Sequence, residues 1–295
     1  MQYTQLLPNQ YPSLLKGLKK QPPYMYIAGA PIPSDDYKFL CVVGSRKYDN
    51  YGEEACFELI RGLRNYPVVI VSGLALGVDS LAHLAALEYG LKTIAIPGSG
   101  LHDDYIYPRE HLPLAKRIVL TGNTLLSPFE PDQGGDTWTF PVRNQLMAAI
   151  SDATLVIEGG KESGTLLTAK NTLEIDRPLM FVPGSIFSDL SYGPHSLSGD
   201  GGILVSSSED ILGVLGFDVA QERTDRTKSK LEAALRDLPD DQKIVLRELQ
   251  FKPYTSSELI GKLGISAVHF GIIATQLELH GLVTESNGVY RISVK

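Results

Sequence analysis

Between about Phe39 and Val205, short β-rich runs alternate with helical patterns, and this alternation constrains the fold more than any single motif. The runs FLCVV, VVIVS, TIAIP, RIVLT, TLVIE, LMFVP and ILVS lack strict polar alternation, as strands buried on both faces of a parallel sheet do. Between them, YGEEACFELIRGLRN and DSLAHLAALEYG carry apolar residues at helical spacing, and Gly90 suits a left-handed C-cap. The pattern predicts an α/β fold over residues 34–215: a doubly wound, mostly parallel sheet.

The flanks read differently. Residues 1–33 are proline-rich, with YPSLLKGL as their only helical turn, and predict a strap on the sheet domain. Residues 216–230 are polar and mixed in charge, the composition of a linker. Over residues 231–295, KSKLEAALRDL just before Pro239, DQKIVLREL, TSSELIGKLG and SAVHFGIIATQLELHGLV give helical patterns. VTESNGVYRIS then predicts a hairpin turning at Asn287-Gly288. Helices closed by a hairpin predict a winged-helix domain.

A chain of 295 residues accommodates a sizeable core and a smaller second domain. No run of about eighteen apolar residues is present, and MQYTQLLPNQ lacks a signal-peptide pattern, so a cytoplasmic protein without membrane contact is expected. Cys41 and Cys56 are too few for a disulfide framework and sit in a strand and a helix pattern, where packing is their role. The net charge of −7 argues against binding nucleic acid through an overall field. Any anion site must be local.

Five loops are candidates for such a site. In VVGSRKYDNYG, Gly44, Ser45, Arg46 and Lys47 fall between a strand and a helix, at the sheet edge where open parallel sheets bind ligands. In SGLALGVDSLAH, Gly73 and Gly77 allow a close backbone turn, Asp79 or Ser80 is expected to cap the next helix, and His83 is expected to pack. Three residues between Gly73 and Gly77 exclude the dinucleotide fingerprint. The loop IPGSGLHDDYIYPREH combines Gly98 and Gly100 with His102, Asp103, Asp104 and His111, whose spacing fits no zinc-type ligand set, so no metal is expected.

The fourth loop, DTWTFPVRNQLMAAIS, places Arg143 and Asn144 at a helix start behind Trp138 and Phe140. A cation in a first helical turn has the unfavourable sign for the helix dipole, so Arg143 is expected to meet an anion. In VIEGGKESGTLLTAKNTLE, Lys161, Ser163, Gly164 and Thr165 form a phosphate cradle that is not a Walker A loop, and no cofactor is implied. The five loops together predict a nucleotide or a nucleic-acid backbone as the anion.

Taken in order, VVGSRKYDNYG, SGLALGVDSLAH, TIAIPGSGLHDDYIYP, FPVRNQLMAAIS, VIEGGKESGTLLTA, RPLMFVPG and GPHSLSGDGGILV resemble the DNA-processing protein A family, DprA or Smf. The resemblance spans about residues 39–212. It implies an extended Rossmann-like domain that binds single-stranded DNA, forms a homodimer, and loads a RecA-type recombinase during uptake of transforming DNA. It implies no catalytic turnover. Carried over residue by residue, the binding segments are Gly44 to Arg46, Phe140 to Asn144, and Lys161 to Thr165, with Arg46, Arg143 and Lys161 on phosphates. Arg143→Ala is then expected to lower the salt dependence of binding by roughly one unit of slope.

There are departures. Leu76 and Gln145 stand where the family usually has arginine, GPHSLSGDGG differs from the usual pattern, and the family's N-terminal SAM-like domain is expected to be absent apart from its trailing strap. From Leu231 onward, seven basic residues oppose eight acidic ones, and SAVHFGIIATQLELHG has no lysine or arginine. That tail is therefore expected to bind protein rather than duplex DNA.

An enzyme of the LOG-type phosphoribohydrolases is the main alternative. Its catalytic glutamate would fall at Thr168, which removes the carboxylate needed at the ribosyl bond. A nucleotide-sensing Rossmann protein is a third reading, since a phosphate cradle alone does not distinguish a mononucleotide from DNA.

Overall fold

The computed structural model describes residues 1–16, 21–161, 163–219, 236, 238–286 and 288–293. The chain divides into two compact units, Met1–Phe217 and Asp218–Lys295.

The first unit is built on nine strands: β1 (Thr4–Leu6), β2 (Met25–Gly29), β3 (Lys38–Val43), β4 (Val68–Ser72), β5 (Lys92–Ala95), β6 (Thr124–Ser127), β7 (Ala153–Val156), β8 (Leu179–Phe181) and β9 (Ile203–Leu204). They form one sheet in the order β1-β2-β6-β5-β4-β3-β7-β8-β9. Strands β3 to β9 run parallel, and every residue of β4 and β7 is buried, as their unbroken apolar text requires. The helices are α1 (Ser13–Lys16), α2 (Asn50–Gly62), α3 (Val78–Glu88), α4 (Leu112–Leu120), α5 (Thr139–Ile150), α6 (Thr165–Glu174), α7 (Tyr192–Leu197) and α8 (Ser208–Val214). The α/β, mostly parallel, doubly wound fold read from the sequence is the fold observed.

Two local expectations change. RIVLT is not a strand: it ends α4, which has a proline in its first turn and turns Ala115 and Ile118 into the core while Leu120 faces solvent. The strand lies just beyond, at β6. The N-terminal stretch does not lie on the sheet as a strap but enters it. β2 pairs antiparallel with both β1 and β6, and Tyr11, Leu15 and Met25 join the main core.

The second unit contains α9 (Asp240–Leu249), β10 (Tyr254–Thr255), α10 (Ser256–Leu263), α11 (Ala267–Leu279), β11 (Val283–Ser286) and β12 (Val289–Ile292), with the strands in the order β10-β12-β11. A capping box between Thr255 and Glu258 starts α10, and Gly264, left-handed at φ +64°, ends it. Phe270, Ile273 and Leu277 turn one face of α11 onto Val245, Leu246 and Leu259. The expected linker beyond Val219 and the helix expected over KSKLEAALRDL, apart from Arg236 and Leu238, lie outside the described residues, as does Asn287 of the hairpin turn. No single helix among the described residues is long and apolar enough to cross a membrane.

The sheet order places the site. Strand β3 has β4 on one side and β7 on the other, so the chain reverses its direction of travel between β3 and β7. A crevice opens outside the carboxyl ends of strands at such a point.

Candidate anion-binding site

A cavity of about 730 Å³ occupies this crevice. Gly44, Ser45, Arg46 and Lys47 from the loop after β3 line one side, and Ser163, Gly164 and Thr165 at the start of α6 line the other. Phe140, Arg143 and Asn144 of α5 stand between them. Lines of sequence far apart in the chain therefore converge as expected.

The loop after β3 is shaped from within. The Lys47 N–H donates to the Ser45 hydroxyl at 3.1 Å, and the Val78 N–H donates to the Ser45 carbonyl at 3.1 Å. Gly77 makes the second contact workable: its φ is +84°, and a Cβ there would lie 2.1 Å from the Ser45 carbonyl oxygen. Arg46 and Lys47 remain exposed, and the Arg46 guanidinium carbon lies 5.7 Å from the centre of the Phe140 ring.

Arg143 meets an anion, but the anion belongs to the protein. It is the fifth residue of α5, beyond the first turn, and is only 5% exposed. Its Nη1 lies 3.6 Å from Oδ2 of Asp79 and donates to the carbonyls of Gly73 and, at 3.3 Å, Ile96. Asp79 also accepts from the Gly73 N–H at 3.2 Å, so it ties down the loop after β4 instead of capping α3. Burial raises the Asp79 carboxyl above its ordinary range while Arg143 pulls it back. Arg143 thus lies beyond the turn where a helix dipole would call for an anion, and its carboxylate partner, from α3 two helices earlier, was not legible in local sequence.

Three predicted glycines shape the site from behind. A Cβ on Gly73 would fall 1.5 Å from Arg143 Nη1, one on Gly98 2.5 Å from the Phe140 ring, and one on Gly100 2.1 Å from the Glu130 carbonyl oxygen. The Thr139 hydroxyl donates to the Gly98 carbonyl at 2.6 Å, seating α5 on the third loop. Gly73 and Gly98 border a small adjoining cleft with Leu76, which is 44% exposed.

On the fifth loop, the Ser163 hydroxyl donates to Thr165 Oγ1 at 2.8 Å, and the Thr165 N–H donates to Ser163 Oγ at 3.2 Å. Asn144 Nδ2 reaches the Gly164 carbonyl at 3.4 Å, joining α5 to this loop. Lys161 stands outside the cavity wall with its Nζ 5.8 Å from the Tyr192 ring centre.

Some residues fall elsewhere. Gln145 and Trp138 line a separate cleft with Phe129 and Tyr24, so the charge missing at Gln145 is not missing from the cavity. Asp103 is held by Lys116 and by the Met1 amine, which keep its carboxyl down at about 2, and His111 Nδ1 contacts the Leu74 carbonyl at 2.7 Å. Among the described residues, no group of three or more His, Cys, Asp or Glu side chains is placed to hold a metal. His83 is buried, with Nδ1 2.8 Å from Thr93 Oγ1. Cys41 and Cys56 are both buried. Asp79, expected as a cap, lines the cavity, as do Met147, Leu190 and Thr168; the apolar text around Met147 and Leu190 signals core alone, so neither is legible as a site residue.

Comparison with known proteins adds the family. The model of the DNA recombination-mediator protein A family matches residues 2–216. DNA processing protein DprA of Bacillus subtilis is 34% identical over 202 residues, 68% of this chain and 67% of its own length. Protein Smf of Escherichia coli is 37% identical over 207 residues, 70% of this chain and 54% of its own. DprA of Streptococcus pneumoniae is 39% identical over 178 residues, and the chain spans 62% of its length. Among solved structures, DNA processing protein A of Streptococcus pneumoniae superposes with a TM-score of 0.67 and 34% identity, covering 73% of this chain and 75% of its own. DNA processing protein A of Helicobacter pylori, described with a single-stranded DNA binding mode, gives a TM-score of 0.65 and 27% identity, covering 72% and 95%. With the sheet order, the loop set and these matches in agreement, the chain belongs to the DNA recombination-mediator protein A family.

Proposed function

We propose that this chain is a non-enzymatic single-stranded DNA-binding protein that protects incoming strands and loads a RecA-type recombinase in transformation or recombination. One observation carries the reading: exposed Arg46 and Lys47 face the hydrogen-bonding Ser163–Thr165 turn and the start of α6 across a single cavity at the switch point of the sheet. The Helicobacter pylori relative, described with single-stranded DNA, supports the choice of ligand. Local cations at one crevice let an acidic chain hold a polyanion without an overall positive field.

We read the protein as a homodimer joined along the β9 edge, where Ile186, Phe187, Ile203 and Leu204 are exposed. The second unit, whose described residues give a helix, a strand, two helices and a hairpin, is read as a winged helix that binds protein, because Val268, Ile272 and Leu279 of α11 are exposed and the helix has no lysine or arginine. Thr168 is buried in the cavity wall, and by sequence resemblance it is the position where a phosphoribohydrolase would carry its glutamate, which favours binding over turnover.

The test is fluorescence anisotropy of a labelled oligonucleotide, single-stranded and duplexed, at about 50 and 200 mM salt. Salt-sensitive preference for the single strand is expected. Absence of binding at both salts, with displacement of a labelled mononucleotide instead, would overturn the DNA reading in favour of a nucleotide ligand.

A further inference from the structure

The walls of the cavity are joined behind it by a side chain that the site itself does not use. Glu158 follows β7 at the root of the fifth loop, is only 4% exposed, and its Oε2 has no hydrogen-bond partner among the described residues. The carboxyl lies against the first turn of α2: a Cβ added to Gly52 would fall 2.3 Å from Oε2. Beside it stands Asp49, the N-cap of α2, whose own carboxylate accepts from the Gly52 N–H at 3.1 Å. Two carboxyl groups thus meet where the Arg46–Lys47 loop enters its helix and the Lys161–Thr165 loop leaves its strand.

We propose that Glu158 is a positioning residue of the anion site, holding the first loop against the fifth through a single proton shared with Asp49. The inference rests on the anion-site reading. A metal ion is the poorer occupant, because the first turn of α2 directs its N–H groups, the positive end of the helix, at the same spot. A proton removes the like-charge repulsion without needing space, and Gly52 leaves none. Among the described residues, the ionisable groups bearing on Glu158 are Asp49 and, in the same turn, Tyr51, whose hydroxyl donates to the Pro183 carbonyl.

Burial, reinforced by Asp49, pushes the Glu158 carboxyl up to about 7 from an ordinary value of 4.5. The folded chain therefore keeps a proton that the unfolded chain releases, and stability falls as pH rises between those two values. Above about 7 Glu158 gives up its proton beside Asp49, the contact between the loops loosens, and Arg46 and Lys47 are held less firmly.

Oligonucleotide affinity and melting temperature of the full chain and of Glu158→Gln, measured between about pH 5 and pH 8.5, test this. Glutamine keeps the shape and cannot ionise. The wild-type affinity is expected to fall by roughly three- to tenfold more than that of the variant as pH rises through this range, the effect of half to one unit of pKa coupling. Asp49→Asn, which preserves the helix cap, should move the transition to lower pH. Matching affinity profiles for wild type and Glu158→Gln would overturn the proposal. Should the wild type bind no oligonucleotide at any pH, the DNA reading fails and melting decides: a wild-type curve falling relative to Glu158→Gln supports the shared proton, and parallel curves refute it.

Discussion

The Arg143 guanidinium lies 3.6 Å from the Asp79 carboxylate, with both side chains buried and Gly73 bonded to each of them. Removing either partner leaves a lone charge in the core. Asp79→Asn should cost about 3–5 kcal/mol in the unfolding of the sheet unit, read by denaturant titration. Asp79→Leu combined with Arg143→Met should recover much of that loss, because the pair is then replaced by apolar groups.

Since Asp79 offsets its charge, Arg143 should contribute little to the salt dependence of single-strand binding, against the expectation from sequence. Arg46→Ala and Lys47→Ala, at exposed positions on the cavity wall, should each reduce the slope of log affinity against log salt by about 0.7. Arg143→Ala should instead lower the melting temperature. Anisotropy titrations at several salt concentrations, paired with thermal melts, separate the two behaviours.

Gly73→Ala and Gly98→Ala should each destabilise the sheet unit by about 1–3 kcal/mol, because the new methyl would overlap the Arg143 guanidinium or the Phe140 ring. Gly164→Ala is the contrast: its backbone is already helical and no atom lies within 4 Å of the added carbon. That variant should match the wild type in stability to within about 0.5 kcal/mol, so any loss of binding reports on ligand approach alone.

His83 supplies a pH dependence of the opposite sign from that of Glu158. Complete burial holds its imidazole neutral, with a pKa lowered to about 3 from an ordinary 6.5. The unfolded chain takes up a proton that the folded chain refuses, so stability present above 6.5 is lost as pH falls toward 3. The slope should reach about 1.4 kcal/mol per pH unit, and His83→Gln should flatten it in melts across this acid range.

Much of the sheet unit was legible because strands buried on both faces write continuous apolar text, as FLCVV and VVIVS do. RIVLT wrote similar text for a helix end, since a short apolar run has no period of its own. Loop positions of Ser45, Arg46, Ser163 and Thr165 followed from their places between strands and helices. What chain order conceals is which charges meet: Asp79 reads as a cap and Arg143 as a ligand until the fold sets one against the other. Glu158 looks like an ordinary loop residue for the same reason, its burial and its neighbour being set by a helix that precedes it by a hundred residues.

Helix α5 rests on the second and third loops through Gly73 and Gly98 with no clearance at either point. In mechanical terms, that side of the cavity is the fixed jaw of a vice. The two walls beside it, formed by the loops of Arg46 and Ser163, are backed by a carboxyl contact that can loosen, and they serve as the sliding jaws. A bulkier ligand would have to find its room on the sliding side, and tightening the grip would mean acting on Asp49 and Glu158, outside the surface that the ligand touches.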